Sequence, residues 1–143
     1  MRPPSTLPTT CCLPPGRWHA ARRSRSAWLR THIAHGWASC PLTQNGCLRI
    51  MSRPGYAKPQ RLGSLVSMLA RSTSTRFHAF WPDAISVLDR THFHHGYIHS
   101  PRQLTDLYLL ALAVHHGGRL VTFDRHIALS AVAGARPEHL VQL

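Results

Sequence analysis

The clearest pattern of apolar and polar positions lies between residues 104 and 124. The run LTDLYLLALAVHH (104–116) is almost continuously apolar, which is typical of a buried helix. Gly117 and Gly118 follow it, and glycine readily adopts the left-handed conformation that ends a helix. The next run, RLVTF, is short and rich in strand-forming residues, and Asp124 follows it. The pattern predicts a buried helix, a turn and a buried parallel strand.

Earlier in the chain the pattern predicts a strand that enters a helix through a tight turn. Residues 36–40 (GWASC) are typical of a short strand. Pro41 suits the first turn of a helix that continues from Leu42 to Met51, because that position needs no backbone N–H. Strand, turn and helix in this order favour an α/β fold.

A third helix is predicted over residues 60–71, where apolar side chains recur at helical spacing and form a stripe that should face the core. The stripe consists of Leu62, Leu65, Val66 and Leu69. Three aromatic residues beyond it are expected to close the core: Phe77, Phe80 and Trp81. A short buried strand is predicted from Asp83 to Leu88, and a polar loop over residues 90–103 follows it.

The beginning of the chain differs from the rest. Residues 1–17 hold five of the 11 prolines and show no apolar periodicity, so we expect them to be irregular. Residues 18–33 place Ala20, Ala27, Trp28 and Ile33 on one face opposite arginines, which predicts a basic amphipathic helix. An arginine-rich surface helix with no special role is the alternative.

Length and composition add three expectations. A chain of 143 residues has room for one domain with a modest core. There is no run of 18 apolar residues and no secretory signal in the first 30, so we expect a soluble intracellular protein. The cysteines lack metal-site or disulfide spacing, which favours reduced thiols; they are Cys11, Cys12, Cys40 and Cys47.

The net charge of +12 is unevenly distributed. Residues 1–82 hold twelve of the 17 basic residues and no acid, whereas residues 83–143 hold the other five and all five acids. Such a field attracts polyanions and makes their binding sensitive to salt. By itself the charge indicates RNA, DNA or an acidic partner.

Two of the five acids are candidates for chemistry. Asp106 falls in the first turn of the apolar helix, and Asp124 falls where the following strand ends, which is the edge of an α/β sheet where ligands usually bind. Each aspartate taken alone is more often a helix cap or a turn former. Together in a basic protein they suggest metal-assisted phosphodiester chemistry, because carboxylate oxygens are the ligands that Mg²⁺ prefers.

Three blocks in order and spacing resemble the PIN-domain ribonuclease toxins of the VapC type over about residues 28–143. They are GWASCPLTQNGCLRIMSRP, FWPDAISVLD and RQLTDLYLLALAVHHGGRLVTFD. The resemblance implies a three-layer α/β/α sandwich around a parallel sheet and endonucleolytic cleavage of RNA in the cytoplasm, with Mg²⁺ or Mn²⁺ as cofactor. It further implies a cognate antitoxin, a homodimer and no membrane association.

The resemblance also assigns residues. Asp106 matches the central metal-binding aspartate, and Asp124 matches the later member of the acidic cluster. The Thr122 hydroxyl beside it is a supporting group and a candidate to bind RNA. Gln44 falls where many members have glutamate, and it can accept a hydrogen bond from bound water without supplying charge. Arg49 and Arg53 follow the Gln44 helix and are candidates to bind an RNA phosphate near the metal.

One departure from the family is large. The family begins with an apolar strand carrying Leu-Asp-x-Asn, whereas residues 1–30 contain no acid. The chain therefore divides into an irregular basic segment, residues 1–27, and a PIN-like domain, residues 28–143, whose first strand is missing or irregular. We hypothesise that the first segment is read from a shifted frame, since a frame one base upstream of Thr10 to Cys12 can encode an acid followed by apolar residues.

Other functions stay open at this stage. The main alternative to an enzyme is a catalytically impaired PIN remnant that binds antitoxin or RNA without cleaving RNA. A basic nucleic-acid-binding module or an organelle-targeted protein is a third possibility, since an acid-free, arginine-rich start resembles a transit peptide. Loop histidines could ligate zinc, although their spacing favours solvated side chains; they are His92, His94, His95 and His99. His115 and His116 suit the negative end of the apolar helix.

Overall fold

A five-stranded sheet forms the centre of the computed structural model, which describes residues 9–11, 31–55 and 60–143, the first three by backbone alone. The strands are β1 (Thr9–Cys11), β2 (Trp37–Ser39), β3 (His78–Phe80), β4 (Arg119–Thr122) and β5 (Leu140–Gln142). Their order is β3-β2-β1-β4-β5, and every neighbouring pair is parallel. The carboxyl ends of all five strands therefore meet at one edge, called here the carboxyl edge.

Among the described residues, three helices have both ends defined and lie between these strands: α1 (Pro41–Met51), α2 (Leu62–Thr73) and α3 (Leu104–His115). Short 3₁₀ turns occupy Ile33–His35, His95–Tyr97, Pro101–Gln103, Leu129–Ala131 and Pro137–His139. Helices alternating with parallel strands make this an α/β protein, as the sequence predicts. In the described part of the chain, no helix combines the length and the apolar character needed to cross a bilayer.

The predicted strand and helix around Pro41 are confirmed. Pro41 occupies the first position of α1, where a missing N–H costs nothing. The Thr43 hydroxyl accepts a hydrogen bond from the Cys40 N–H at 2.9 Å and donates one to the Cys40 carbonyl at 3.0 Å. These two bonds fix the start of α1 directly beyond β2.

The predicted unit from residues 104 to 124 is also confirmed. α3 buries six of its twelve residues, and Leu107, Leu110 and Leu112 have no exposed surface. Gly117 ends the helix with φ of 66°, and a Cβ there would meet no atom within 4 Å, so its role is conformational. The following β4 is buried from Leu120 to Thr122.

The strand predicted from Asp83 to Leu88 is wrong. The strand lies earlier, as β3, and the Trp81 N–H still donates to the Ser39 carbonyl at 2.9 Å. Pro82 then ends the pairing because it has no N–H to donate. The apolar residues beyond it belong to a loop in which Ile85 is buried and Leu88 is 82% exposed.

The apolar stripe of α2 faces the core only in part. Leu65 is fully buried and Leu69 is half-buried, but Leu62 and Val66 are 54% and 47% exposed. α2 packs mainly against α1 and the edge strand β3, so a single neighbouring layer covers it. Among the predicted aromatic residues, Trp81 is buried and Phe77 half-buried, whereas Phe80 is 53% exposed.

The expectation that residues 1–17 are irregular is wrong at one place. Thr9–Cys11 forms β1, which pairs with β2 on one side and β4 on the other and so takes the centre of the sheet. Backbone N–H and C=O groups of β2 and β4 need partners there, and any sequence without proline can supply them. Residues 1–8 and 12–30 lie outside the described residues, and with them most of the helix predicted over residues 18–33.

Candidate functional site

The carboxyl edge brings Asp106 and Asp124 together. Asp124 is the second residue beyond β4, and Asp106 lies in the first turn of α3, whose carboxyl end leads back into the start of β4. Burial raises the pKa of Asp106, and the nearby negative charge of Asp124 raises it further. The two carboxylates expected from the sequence therefore lie close enough for the charge of one to act on the other.

Asp106 is a half-buried carboxylate without a stabilising partner. Within the described ranges it makes no hydrogen bond and no ion pair, and the nearest charge has the same sign as its own. Such a pair is costly unless a cation lies between the carboxylates or one of them binds a proton. The two aspartates therefore fit a divalent cation held by oxygen ligands.

Asp124 is held in place by its surroundings. Its N–H donates to the Thr122 hydroxyl at 3.0 Å, its Oδ1 accepts from the His126 N–H at 2.8 Å, and its carbonyl accepts from Gln142 Nε2 at 3.2 Å. Thr122 is 1% exposed, so this hydroxyl is fixed inside the protein. Thr122 thus supports the backbone of Asp124, as the sequence suggests.

Gln44 lies at the same edge of the sheet, but on the helix that follows β2 and not near β4. It belongs to the start of α1, beyond β2, and its Nε2 donates to the Ser39 hydroxyl at 2.9 Å. β1 separates β2 from β4, and two strand spacings amount to roughly 10 Å. Across the described residues, no hydrogen bond or ion pair joins Gln44 to Asp106 or Asp124.

The gap between Gln44 and the aspartates lies at the carboxyl end of β1. β1 ends at Cys11, and Cys12 follows, so the chain carries no acid at this position. Within residues 9–11, 31–55 and 60–143 there is no group of three or more His, Cys, Asp or Glu side chains that could hold a metal ion. The family's first acid would belong to this part of the edge.

Asp83 is an edge residue that the sequence reasoning missed. It follows β3 by three residues, and its negative charge, after the larger effect of burial, raises the pKa of Tyr108 on α3 to about 12. Burial raises the pKa of the Cys40 thiol as well, and Asp83 adds to that shift. The signal was an acid beyond a strand, but the strand was placed after Asp83 instead of before it.

Arg49 and Arg53 are exposed and lie away from the carboxyl edge. α1 begins at that edge and runs from it, and Arg49 is about 12 Å along the helix from Pro41 at 1.5 Å per residue. Arg53 follows the end of α1. The structure does not bring this pair next to the aspartates.

The histidines are spread over both ends of α3. His94, His95 and His99 are exposed, and the His99 N–H donates to Gln103 Oε1 at 3.1 Å beside the start of α3. The His92 ring contacts that of His115 at the other end. His116 stacks on Trp81 with ring centroids 4.7 Å apart, and burial followed by the charge of His115 lowers its pKa. Cys40 is a buried thiol, and the half-buried Cys47 thiol donates to the Met51 sulfur at 3.5 Å.

Comparisons with known proteins find relatives that are named ribonucleases of the VapC type. It is 48% identical to Ribonuclease VapC44 of Mycobacterium tuberculosis (strain ATCC 25618 / H37Rv) over 127 residues, which cover 89% of each chain. It is 36% identical to Ribonuclease VapC39 of that strain over 117 residues, 81% of this chain and 84% of the relative. Ribonuclease VapC38 is 34% identical over 119 residues, 81% of this chain and 79% of the relative. No family model and no solved structure matches.

The similarity extends further than the blocks found in the sequence. Residues 28–143 are 116 residues, whereas the first relative matches over 127 residues, so at least 11 matched residues precede Trp28. At most 16 of the 143 residues remain unmatched.

Proposed function

Because this chain belongs to the VapC ribonuclease family, we propose that it is the toxin of a type II toxin–antitoxin pair and cleaves RNA internally. The observation that carries the proposal is the Asp106 and Asp124 pair at the carboxyl edge, where the charge of one carboxylate raises the pKa of the other. A site of two neighbouring carboxylates in a protein of net charge +12 suits a metal-assisted reaction on a polyanion.

The proposed cofactor is Mg²⁺ or Mn²⁺, held by Asp106 and Asp124. Such an ion supplies an activated water and stabilises the leaving oxygen of a phosphodiester. Asp106 contributes its charge from a half-buried position, where electrostatic attraction is stronger than in water. Asp124 contributes a carboxylate whose position is set by the hydrogen bonds of Thr122 and His126.

The remaining site residues act on water and phosphate. Gln44 accepts a hydrogen bond from water at the edge, because its Oε1 has no hydrogen-bond partner among the described residues. Arg49 and Arg53 bind RNA phosphates further along the substrate, since they are exposed and lie away from the edge, Arg49 on α1 and Arg53 just after it. RNA affinity should therefore fall with salt as counterions return to the phosphates.

The family also supports partners and architecture. We propose a three-layer α/β/α sandwich, a cognate antitoxin protein, a homodimer and a cytoplasmic location without membrane association. The exposed apolar residues of α2, Leu62 and Val66, are compatible with a surface that another chain covers.

A catalytically impaired PIN remnant is the second candidate. It is favoured by the carboxyl end of β1, where Cys11 and Cys12 stand in place of an acid, and by the uncharged Gln44. Such a protein would bind antitoxin or RNA without cleaving.

Cleavage of structured RNA, followed with and without Mg²⁺, separates the two candidates. The enzyme should produce defined fragments only with the ion, and Asp106→Ala should abolish them. Glu138→Gln is the matched control, because Glu138 is an exposed acid that pairs with Arg136 at 3.6 Å, away from the edge. RNA binding without cleavage by the wild type would establish the remnant instead.

A further inference from the structure

A partly buried relay of hydrogen bonds links Gln44 to the edge strand β3. Gln44 Nε2 donates to Ser39 Oγ at 2.9 Å, and Ser39 Oγ lies 2.8 Å from His78 Nε2. Ser39 is 5% exposed, and the His78 ring lies against Trp37 with centroids 4.5 Å apart. The relay therefore joins neighbouring strands beneath the residue that takes the place of the family's glutamate.

The direction of the relay decides which end of the Gln44 amide is free. A serine hydroxyl has one proton, so Ser39 can donate either to His78 or to Gln44, but not to both. If Ser39 donates to His78, the amide nitrogen of Gln44 is anchored and its oxygen is free. If His78 donates to Ser39, the serine proton is free to turn to Gln44, which favours an inverted amide that presents its nitrogen.

The surroundings of His78 favour the first direction. Burial lowers the pKa of His78, which favours the neutral ring. The Ser39 hydroxyl oxygen already accepts from Gln44 Nε2, and its one proton has His78 Nε2 as a neighbour at 2.8 Å. A neutral His78 ring accepts that proton at Nε2 when its own proton is on Nδ1.

We propose that Ser39 and His78 are positioning residues that hold the Gln44 amide with its nitrogen anchored and its oxygen free to accept a hydrogen bond at the catalytic edge. A glutamate would need no such relay, because its two oxygens are equivalent. A glutamine does need it, because an inverted amide would point a donor at a site for a cation and its bound water. This inference rests on the proposed function.

The tautomer of His78 provides a test that requires neither metal nor RNA. Nitrogen NMR of the metal-free full chain at neutral pH should show His78 protonated at Nδ1, with Nε2 an acceptor. The Gln44 side-chain NH₂ should exchange slowly with solvent, and faster in His78→Phe, which retains a ring against Trp37 but removes the acceptor. A proton on Nε2 of His78 in the wild type would overturn the proposal.

A double-mutant cycle tests the positioning role. Ser39→Ala should weaken Mg²⁺ binding, measured by calorimetry, about tenfold in the Gln44 protein but less than about twofold in a Gln44→Glu background. Ser72→Ala is the matched control, since the Ser72 hydroxyl donates to the Met68 carbonyl on the exposed face of α2. Equal losses in the two backgrounds would refute the role. If the wild type neither binds Mg²⁺ nor cleaves RNA, the proposed function fails, and the His78 tautomer still decides the relay.

Discussion

The two sides of β1 at the carboxyl edge differ in charge and in packing. On the side of β4 and α3, two carboxylates stand above a helix that buries six residues. On the side of β2 and β3, an uncharged relay of Gln44, Ser39 and His78 stands beside α2, which buries Leu65 alone. The β4 side therefore holds two charged groups above a well-buried helix. The β2 side holds one oriented amide beside a helix that buries little.

This difference suggests how a site tolerates a neutral residue in place of an acid. Both oxygens of a carboxylate attract a cation, so the rotation of its terminal bond does not matter. An amide presents an acceptor to the cation in only one of its two orientations. The protein therefore needs fewer contacts around Asp106 than around Gln44, and the structure has that pattern: no described hydrogen bond at Asp106, and a two-bond relay at Gln44.

The largest expected effect is on the free energy of unfolding, and it compares a buried residue of α3 with an exposed residue of α2. Leu110→Ala should lower the free energy of unfolding by about 2–5 kcal/mol, because the residue is fully buried in α3 and the change leaves a cavity. Val66→Ala on α2 should change it by less than about 0.5 kcal/mol, because Val66 is already 47% exposed. Urea denaturation measures both, and a similar loss in both variants would remove the contrast.

An intermediate effect is expected at the support of Asp124. Thr122→Val removes the acceptor of the Asp124 N–H and should destabilise the protein by about 1–2 kcal/mol while slowing RNA cleavage. Thr122→Ser retains the hydroxyl and should keep most of the cleavage rate. Equal cleavage by the serine and valine variants would show that this hydroxyl does not position Asp124.

The smallest effect concerns the charge of Asp106 without metal. Its folded-state pKa is raised above the ordinary value of 3.8, so its protonation stabilises the fold below that pH, and this contribution is lost as the pH rises through the folded-state pKa. Asp106→Asn should therefore be more stable than the wild type at neutral pH in a chelator, and the difference should shrink under acid conditions. Denaturation at several pH values measures this, and a wild type that is more stable at pH 7 would contradict it.

The sequence predicted the side of α3 and β4 better than the other side. Residues 104–124 carry a long apolar run, a glycine stop and a strand, and each local preference agrees with its final burial. β3 was misplaced because its short sequence, HAF, is less apolar than the ISVL of the loop that follows Pro82. β1 was missed because Thr9–Cys11 lies among prolines, and its central place depends on pairing with β2 and β4 rather than on its own pattern.

The site residues on the side of β4 were also easier to predict from the sequence than those on the side of β2. Asp106 and Asp124 could be paired from the sequence because a helix and the next strand return to the same edge. The relay could not be predicted from the sequence, because Ser39 and His78 are 39 residues apart and meet only when β2 and β3 pair in register. Asp83 was hidden by the misplaced strand.

The most direct test of the account is whether Mg²⁺ stabilises the protein through the Asp106 and Asp124 pair. At a Mg²⁺ concentration about ten times Kd, binding should stabilise the wild type by about 1.4 kcal/mol and raise Tm by roughly 5 °C. We expect this rise in Tm in the wild type and in Glu138→Gln at matched ionic strength, and no rise in Asp106→Asn. An equal rise in Asp106→Asn would contradict it, because the ion would then bind elsewhere.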